Sequence, residues 1–183
     1  MSAAASGSAS ERRSWPPRMA SSRAESNWSR GMCHASPCRA AAAPEAMWQV
    51  ATEVFAFDGL VQNPDRRFHN PNLFTRGNDI YVFDHELAFS FLLDILESAT
   101  PWRLDGQRYL EDHVFYRKLK GRPIDINGFT ARLTALPGPA LDGILADAPT
   151  EWNNESLAKI ERHLRTVSAH ATEFAEEVRR RLA

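Results

Sequence analysis

Lysine and cysteine are scarce in this chain, and long apolar runs are missing. The 183 residues include three lysines, all of them after residue 117, and two cysteines. No apolar run approaches the roughly 20 residues of a membrane-spanning helix, which excludes that class of protein. The formal net charge of −1 provides no overall attraction to nucleic acid or to an anionic membrane surface. We therefore expect neither of these partners, and we expect a cytoplasmic location.

The two cysteines, Cys33 and Cys38, lie close together with His34 between them. Because no further ligand type lies nearby, we favour a pair of free thiols over a metal clip. Nothing in this cysteine content indicates an oxidising compartment.

The composition predicts one ordinary domain and an N-terminal extension. Hydrophobic residues make up 43% of the sequence and charged residues 25%, which is typical of a globular protein. Residues 1–44 are rich in Ser, Ala and Arg and have no helical or strand period, so we expect a disordered extension. There are two alternatives. One is an organelle transit peptide, although Glu11 and Glu25 count against it, and the other is an artefact of the assigned start site.

The domain, over residues 45–183, is predicted to be mainly α-helical with one small β-hairpin. Apolar residues recur at helical spacing in five stretches, and the last of them is either one long helix or a helix pair. The stretches are residues 45–61, 86–98, 107–119, 127–145 with a break at Pro137-Gly-Pro139, and 154–182.

A polar stretch between apolar segments carries the candidate chemistry. Asp65 and Asn70 precede the turn-prone segment Arg76-Gly-Asn-Asp79, and Asp84 follows it at the end of a β-rich segment. A β-hairpin with the three-residue loop 76–78 would place Asn70 opposite Asp84, close enough to share one magnesium ion. The alternative, a two-residue loop, would pair Asn70 with His85 and turn Asp84 to the other face of the hairpin. A metal site therefore predicts the three-residue register.

A base, an amide ligand and a later carboxylate form the set of side chains that phosphoryl transfer uses. Asp65 and Asn70 have the Asp-x-x-x-x-Asn spacing of a kinase catalytic loop, and Asp84 stands where the later metal-binding Asp is found. Asp84-His85-Glu86 replaces the usual Asp-Phe-Gly, so an ordinary protein kinase is not indicated.

Two neighbouring pieces of sequence carry a resemblance to a known family. The first runs from Phe57-Asp-Gly-Leu-Val-Gln-Asn-Pro-Asp65-Arg-Arg through Asn70-Pro-Asn72-Leu, and the second is Phe83-Asp84-His-Glu-Leu-Ala-Phe. This stretch resembles the HipA-like kinase family. It is more distantly similar to phosphatidylinositol kinases. The resemblance implies a protein-kinase-like fold that uses ATP and Mg²⁺ and phosphorylates a protein Ser or Thr. By this resemblance Asp65 is the proton acceptor, and Asn70 and Asp84 are the metal and nucleotide ligands.

A kinase also holds its phosphates with a Gly-rich loop and a strand lysine. Neither feature precedes Asp65. No Gly-rich loop is recognisable there, and the three lysines, Lys118, Lys120 and Lys159, all follow it. We therefore interpret residues 45–183 as the helical C-terminal lobe alone, truncated or degenerate, with the N-terminal lobe absent or not recognisable. The alternative function is a catalytically inactive helical module that binds another protein.

Several polar residues near the motif allow a structural and a functional interpretation. We expect Asp58 to be a surface residue rather than a brace for the loop, and Arg66 to brace the loop by pairing with a carboxylate. His69 is expected to be exposed and His113 to be a packed, hydrogen-bonded histidine. A zinc site is the rival to magnesium, although no His-Glu-x-x-His spacing supports it; its ligands would be His69, Asp84, His85 and Glu86.

Overall fold

The computed structural model describes residues 45–76, 79–94, 98–152 and 155–183. The predictions for residues 1–44, including the cysteine pair, lie outside these ranges. So do residues 95–97 of the predicted helix 86–98.

The described residues form a mainly helical domain with one antiparallel β-hairpin, as the sequence predicts. Three short 3₁₀ segments, at Ser90–Leu93, Arg108–Glu111 and Thr150–Trp152, connect the larger elements. None of the described helices is both long enough and apolar enough to cross a membrane. The α-helices and strands are α1 (Glu45–Leu60), β1 (Leu73–Arg76), β2 (Asp79–Val82), α2 (Tyr116–Leu119), α3 (Asn127–Ala135), α4 (Pro139–Ala146), α5 (Glu155–Ala169) and α6 (Ala171–Leu182).

Helix α1 lies against the centre of the apolar core. Its residue Phe55 is fully buried, and the same core cluster contains Leu119 from α2 and Phe174 from α6. Helix α1 contacts α2 and β2, and α3 contacts both α5 and α6. The helices α1, α3 and α4 and the pair α5 and α6 are therefore where the apolar spacing of the sequence predicts them.

Two predicted long helices are wrong. Residues 86–94 form turns and a short 3₁₀ segment, and residues 107–119 are broken between Arg108–Glu111 and α2. Both segments are bonded to the loop that follows α1: the Phe89 N–H donates to the Val61 carbonyl, and the Val114 N–H donates to the Arg66 carbonyl. These long-range bonds displace the helical ones that the apolar spacing favours.

The C-terminal end of α1 is fixed by hydrogen bonds from three other segments. A helix leaves its last carbonyls without partners inside the helix. Here Gln107 Nε2 donates to the Gly59 carbonyl, His163 Nε2 to the Leu60 carbonyl at 2.7 Å, and Ser90 to the Gln62 carbonyl. The chain therefore leaves α1 at a defined place and in a defined direction.

The buried His163 ring makes two kinds of contact at this helix end. Because a carbonyl can only accept, Nε2 of His163 carries the proton, and the ring stacks on Phe91 with its centroid 4.4 Å away. Burial lowers the pKa of His163, and the bond to the Leu60 carbonyl only partly opposes that shift. The neutral form of the ring is therefore the one that belongs to this structure.

We expect His163→Phe to keep the stacking and to lower the free energy of unfolding by about 1 to 3 kcal/mol, because the buried Leu60 carbonyl loses its donor. His170→Phe is the matched control, since His170 is partly exposed and stacks on Trp102. Urea denaturation of the two variants measures the difference. Equal midpoints would show that the His163 bond does not stabilise the end of α1.

Candidate active site

The segment after α1 contains an asparagine, three residues beyond the helix, that joins the helix to the candidate base. Asn63 is buried, and its Nδ2 donates to Asp58 Oδ1 at 3.0 Å. Its Oδ1 accepts the backbone N–H of Asp65 at 3.2 Å. The position of Asp65 is therefore set by a residue of the last turn of α1.

Asp58 is the centre of a buried polar cluster. Its side chain is 0% exposed and accepts hydrogen bonds from Asn63, from Arg66 Nε at 2.6 Å and from His113 Nε2 at 3.0 Å. Burial alone would raise its pKa, but the bonds from His113 and Arg66 outweigh burial and hold the pKa of Asp58 below its usual value. The prediction of a surface residue is therefore wrong, because three donors compensate the buried carboxylate.

His113 joins the cluster in its neutral form. Nε2 donates to Asp58, and Nδ1 accepts the backbone N–H of Phe115 at 3.2 Å, so both ring nitrogens have partners. Burial lowers the pKa of His113, and the bond to Asp58 opposes that shift without reversing it. The prediction of a packed, hydrogen-bonded histidine is confirmed.

Arg66 ties the loop to the end of strand β2. Its guanidinium is buried, and Nη1 donates to the backbone carbonyls of Asn72 at 2.5 Å and Phe83 at 3.3 Å. Nη2 lies 2.9 Å from His85 Nε2, which must be the acceptor because a guanidinium only donates. The bracing role predicted for Arg66 is confirmed, and the brace spans both segments that carry the candidate ligands.

The structure brings Asp65 and Asn70 together. Asn70 Nδ2 donates to Asp65 Oδ2 at 2.9 Å, and Asn72 Nδ2 donates to the same oxygen at the same distance. Asn70 is exposed, whereas Asn72 is 7% exposed. The candidate base therefore has one oxygen engaged by two amides and the other oxygen without a hydrogen bond among the described residues.

The predicted three-residue loop is wrong, and so is the pairing of Asn70 with Asp84 that depended on it. Thr75 pairs with Ile80 and Arg76 with Asp79, which leaves two residues, 77 and 78, between the strands. This register places Phe74 opposite Tyr81, with the ring centroids 4.7 Å apart, and packs Ile80 against the core. Cross-strand aromatic pairing and burial of Ile80 therefore select the shorter loop.

The position of Asp84 does not follow from strand alternation. Asn72 and Asp84 both have left-handed backbones, with φ of 45° and 55°, so the regular pleat ends at Leu73 and Val82. The Asp84 side chain is exposed, and no hydrogen bond or ion pair joins it to Asp65, Asn70 or any other described residue. It is linked to Asp65 through the neighbouring Phe83, whose N–H donates to the Asn72 carbonyl, and through the Asn72 amide, which donates to Asp65.

The oxygen atoms of this site suit a hard cation. Asn70 uses its Nδ2 for Asp65, which leaves its Oδ1 as an acceptor, and the Asp84 carboxylate is also without a protein partner in the part of the chain described. Carboxylate and amide oxygens are the ligand types that Mg²⁺ takes from proteins.

The described residues contain no group of three or more His, Cys, Asp and Glu side chains that could hold a metal ion. The zinc alternative, which would use His69, Asp84, His85 and Glu86, therefore has no geometric support. His69 is exposed, as predicted.

Sequence reasoning assigned no role to two site residues, Asn72 and Asn63, and it placed a third, Asp58, at the surface. A polar residue just after a helix, such as Asn63, commonly bonds to nearby backbone, and this is the signal that could have singled it out. Asn72 lies within the quoted motif, but only the three-dimensional structure shows that its amide reaches Asp65.

We expect Asp58→Asn to destabilise the protein by about 3 to 5 kcal/mol, because it leaves the Arg66 charge buried without its partner. Asp105→Asn is the matched control. Asp105 pairs with Arg103 and Arg180 at the surface, where ion pairs contribute little, so its unfolding midpoint should stay near that of the wild type. If denaturant unfolding gives the two variants the same midpoint, the buried pair is not the brace of this site.

A comparison with known protein families finds a match. The family model described as HipA-like kinase matches residues 28–179, a range that includes Asp65, Asn70, Asp84 and the whole brace around Asp58. Comparisons with curated proteins and with solved structures give no match. The match covers most of the sequence and contains the loop and hairpin described above, and we conclude that the chain belongs to the HipA-like kinase family.

Proposed function

We propose that residues 45–183 form the helical C-terminal lobe of a protein-kinase-like fold, and that this lobe, once completed by a phosphate-holding N-terminal lobe, transfers the γ-phosphate of ATP to a hydroxyl group with the help of Mg²⁺. One observation carries this proposal: in a member of the HipA-like kinase family, the Asp65 carboxylate is held at one oxygen by the Asn70 and Asn72 amides. In phosphoryl transfer the proton acceptor must be held in a fixed orientation and must lie beside an amide that can bind the metal ion. The arrangement around Asp65 is consistent with both conditions.

Asn70 and Asp84 are the residues that would hold the metal ion. Asn70 offers its amide oxygen and Asp84 its carboxylate, and both are solvent-exposed and therefore accessible to a nucleotide. A bound Mg²⁺ would neutralise the charge that develops on the phosphate oxygens during transfer. Arg66 fixes the carbonyl of Phe83, next to Asp84 in the chain, so the backbone on one side of this ligand is anchored.

Asp65 supplies the acid–base step. The acceptor hydroxyl oxygen forms a bond to the γ-phosphorus, and the bond from that phosphorus to the bridging oxygen breaks and leaves ADP. The hydroxyl proton passes to the Asp65 carboxylate, which is partly exposed and can return it to solvent after the product leaves.

The acceptor class that we propose is a Ser or Thr of a protein, as in the family resemblance. The surface around Asp65 is open enough for a protein chain to approach, because Arg67, Phe68, His69 and Asn70 are all exposed. Phe68 is 50% exposed and offers an apolar contact beside the base.

We expect a non-hydrolysable ATP analogue with Mg²⁺ to raise the melting temperature of the wild type and of Asp79→Asn, but not of Asp84→Asn. Asp79 is the matched control, because it is an exposed aspartate at the opposite end of β2. At about 100 times the Kd the stabilisation should approach about 2.7 kcal/mol. Differential scanning fluorimetry with and without EDTA measures it.

The three outcomes of this experiment separate the two functions. A shift that is lost with EDTA and in Asp84→Asn supports the phosphotransferase. A shift that persists in Asp84→Asn removes Asp84 from the metal site. No shift in any of the proteins contradicts nucleotide binding and favours the inactive module that binds another protein.

A further inference from the structure

We propose that Asn72 is a positioning residue that orients the Asp65 carboxylate, so that Oδ1 and not Oδ2 receives the hydroxyl proton. The inference rests on the proposed function, because it assigns the atom that acts in the phosphoryl transfer. It concerns a residue outside the set of one base and two metal ligands that the spacing predicted.

The two amides around Asp65 engage a single oxygen. Asn70 Nδ2 and Asn72 Nδ2 both lie 2.9 Å from Oδ2, and Oδ1 has no hydrogen bond among the described residues. Two donors on one oxygen fix the rotation of the carboxylate about its side chain. The lone pairs of Oδ1 therefore remain for the incoming hydroxyl.

Asn72 is the better anchored of the two donors. It is 7% exposed, and its carbonyl accepts both Arg66 Nη1 at 2.5 Å and the Phe83 N–H at 3.1 Å. Its left-handed backbone, with φ of 45°, is held by these bonds and is a conformation that asparagine tolerates. Asn70, by contrast, is exposed at the edge of the loop.

This difference allows one asparagine to hold Asp65 and the other to bind the metal ion. A side chain that turns its oxygen toward a metal ion cannot also be relied on to keep its amide on Asp65. With Asn72 fixed, Asn70 can adjust to the cation while Asp65 keeps one of its two amide donors. The carbonyl of Asn72 is also bonded to the residue before Asp84, so the base and the second metal ligand share one anchor.

The atom balance of the step is simple. The substrate O–H proton moves to Asp65 Oδ1, the freed electron pair forms the new O–P bond, and the bond from the γ-phosphorus to ADP breaks. Oδ2 keeps its bond from the Asn72 amide throughout, so the carboxyl group does not need to rotate during the transfer.

The test replaces Asn72 with glycine, which removes the amide and accepts a positive φ without strain. Gln62→Gly is the matched control. Gln62 has φ of 49° and lies three residues before Asp65, but its side-chain amide makes no hydrogen bond in the described part of the chain. Both variants therefore remove an amide from a left-handed position close to the base.

Steady-state phosphoryl transfer is the first measurement. We expect Asn72→Gly to lower kcat by about 10- to 100-fold, as for loss of one hydrogen bond to a charged group. The KM for MgATP should stay unchanged, because Asn70 and Asp84 are intact, and Gln62→Gly should keep the wild-type kcat. A kcat of Asn72→Gly equal to that of the control would overturn the proposal.

The second measurement does not depend on turnover. In ¹H–¹⁵N spectra, the side-chain amide protons of Asn72 should exchange with solvent more slowly in the wild type than in Asp65→Ala, while the backbone spectrum away from the loop stays the same. Equal exchange rates would show that Asn72 does not hold Asp65. Slow exchange in a protein without nucleotide-dependent stabilisation would support the positioning and refute the phosphotransferase separately.

Discussion

The ion pair between Asp58 and Arg66 is the interaction on which the rest of the site depends. Removing two charges from water is costly unless every donor and acceptor finds a partner. Here Asn63 and His113 complete the shell of Asp58, and the carbonyls of Asn72 and Phe83 complete much of that of Arg66. The same bonds that compensate the buried charges also fix the two backbone segments that carry Asp65 and Asp84.

This arrangement places exposed polar residues on rigid supports. The last turn of α1 has carbonyls bonded to Gln107 and His163, and Ser90 bonds to the Gln62 carbonyl just beyond the helix, so the helix end is held by three distant parts of the chain. The loop leaves that turn through Asn63, and its candidate base lies two residues further on. Loops that carry chemistry are positioned by scaffolds of this kind, and precise orientation of a base requires one.

Apolar spacing predicted α1, α3, α4 and the pair α5 and α6, because the core takes one face of each helix. The same reasoning failed for residues 86–98 and 107–119, where bonds to the loop after α1 replace helical ones. The hairpin was predicted correctly, but the prediction of its loop length was wrong. The pairing of Phe74 with Tyr81, which sets that length, depends on packing in the folded chain. Spacing singled out Asp65, Asn70 and Asp84, whereas the burial of Asp58 and the reach of Asn72 depend on the folded chain.

We propose that the brace brings Asn70 and Asp84 to one cation beside Asp65. A crystal structure grown with Mn²⁺ and a non-hydrolysable ATP analogue tests it most directly, because anomalous scattering locates the metal. The account predicts an anomalous peak within coordination distance of Asn70 Oδ1 and an Asp84 carboxylate oxygen, with Asp65 Oδ1 facing the γ-phosphate. A metal bound elsewhere, or an Asp84 side chain directed away from Asn70, would contradict it.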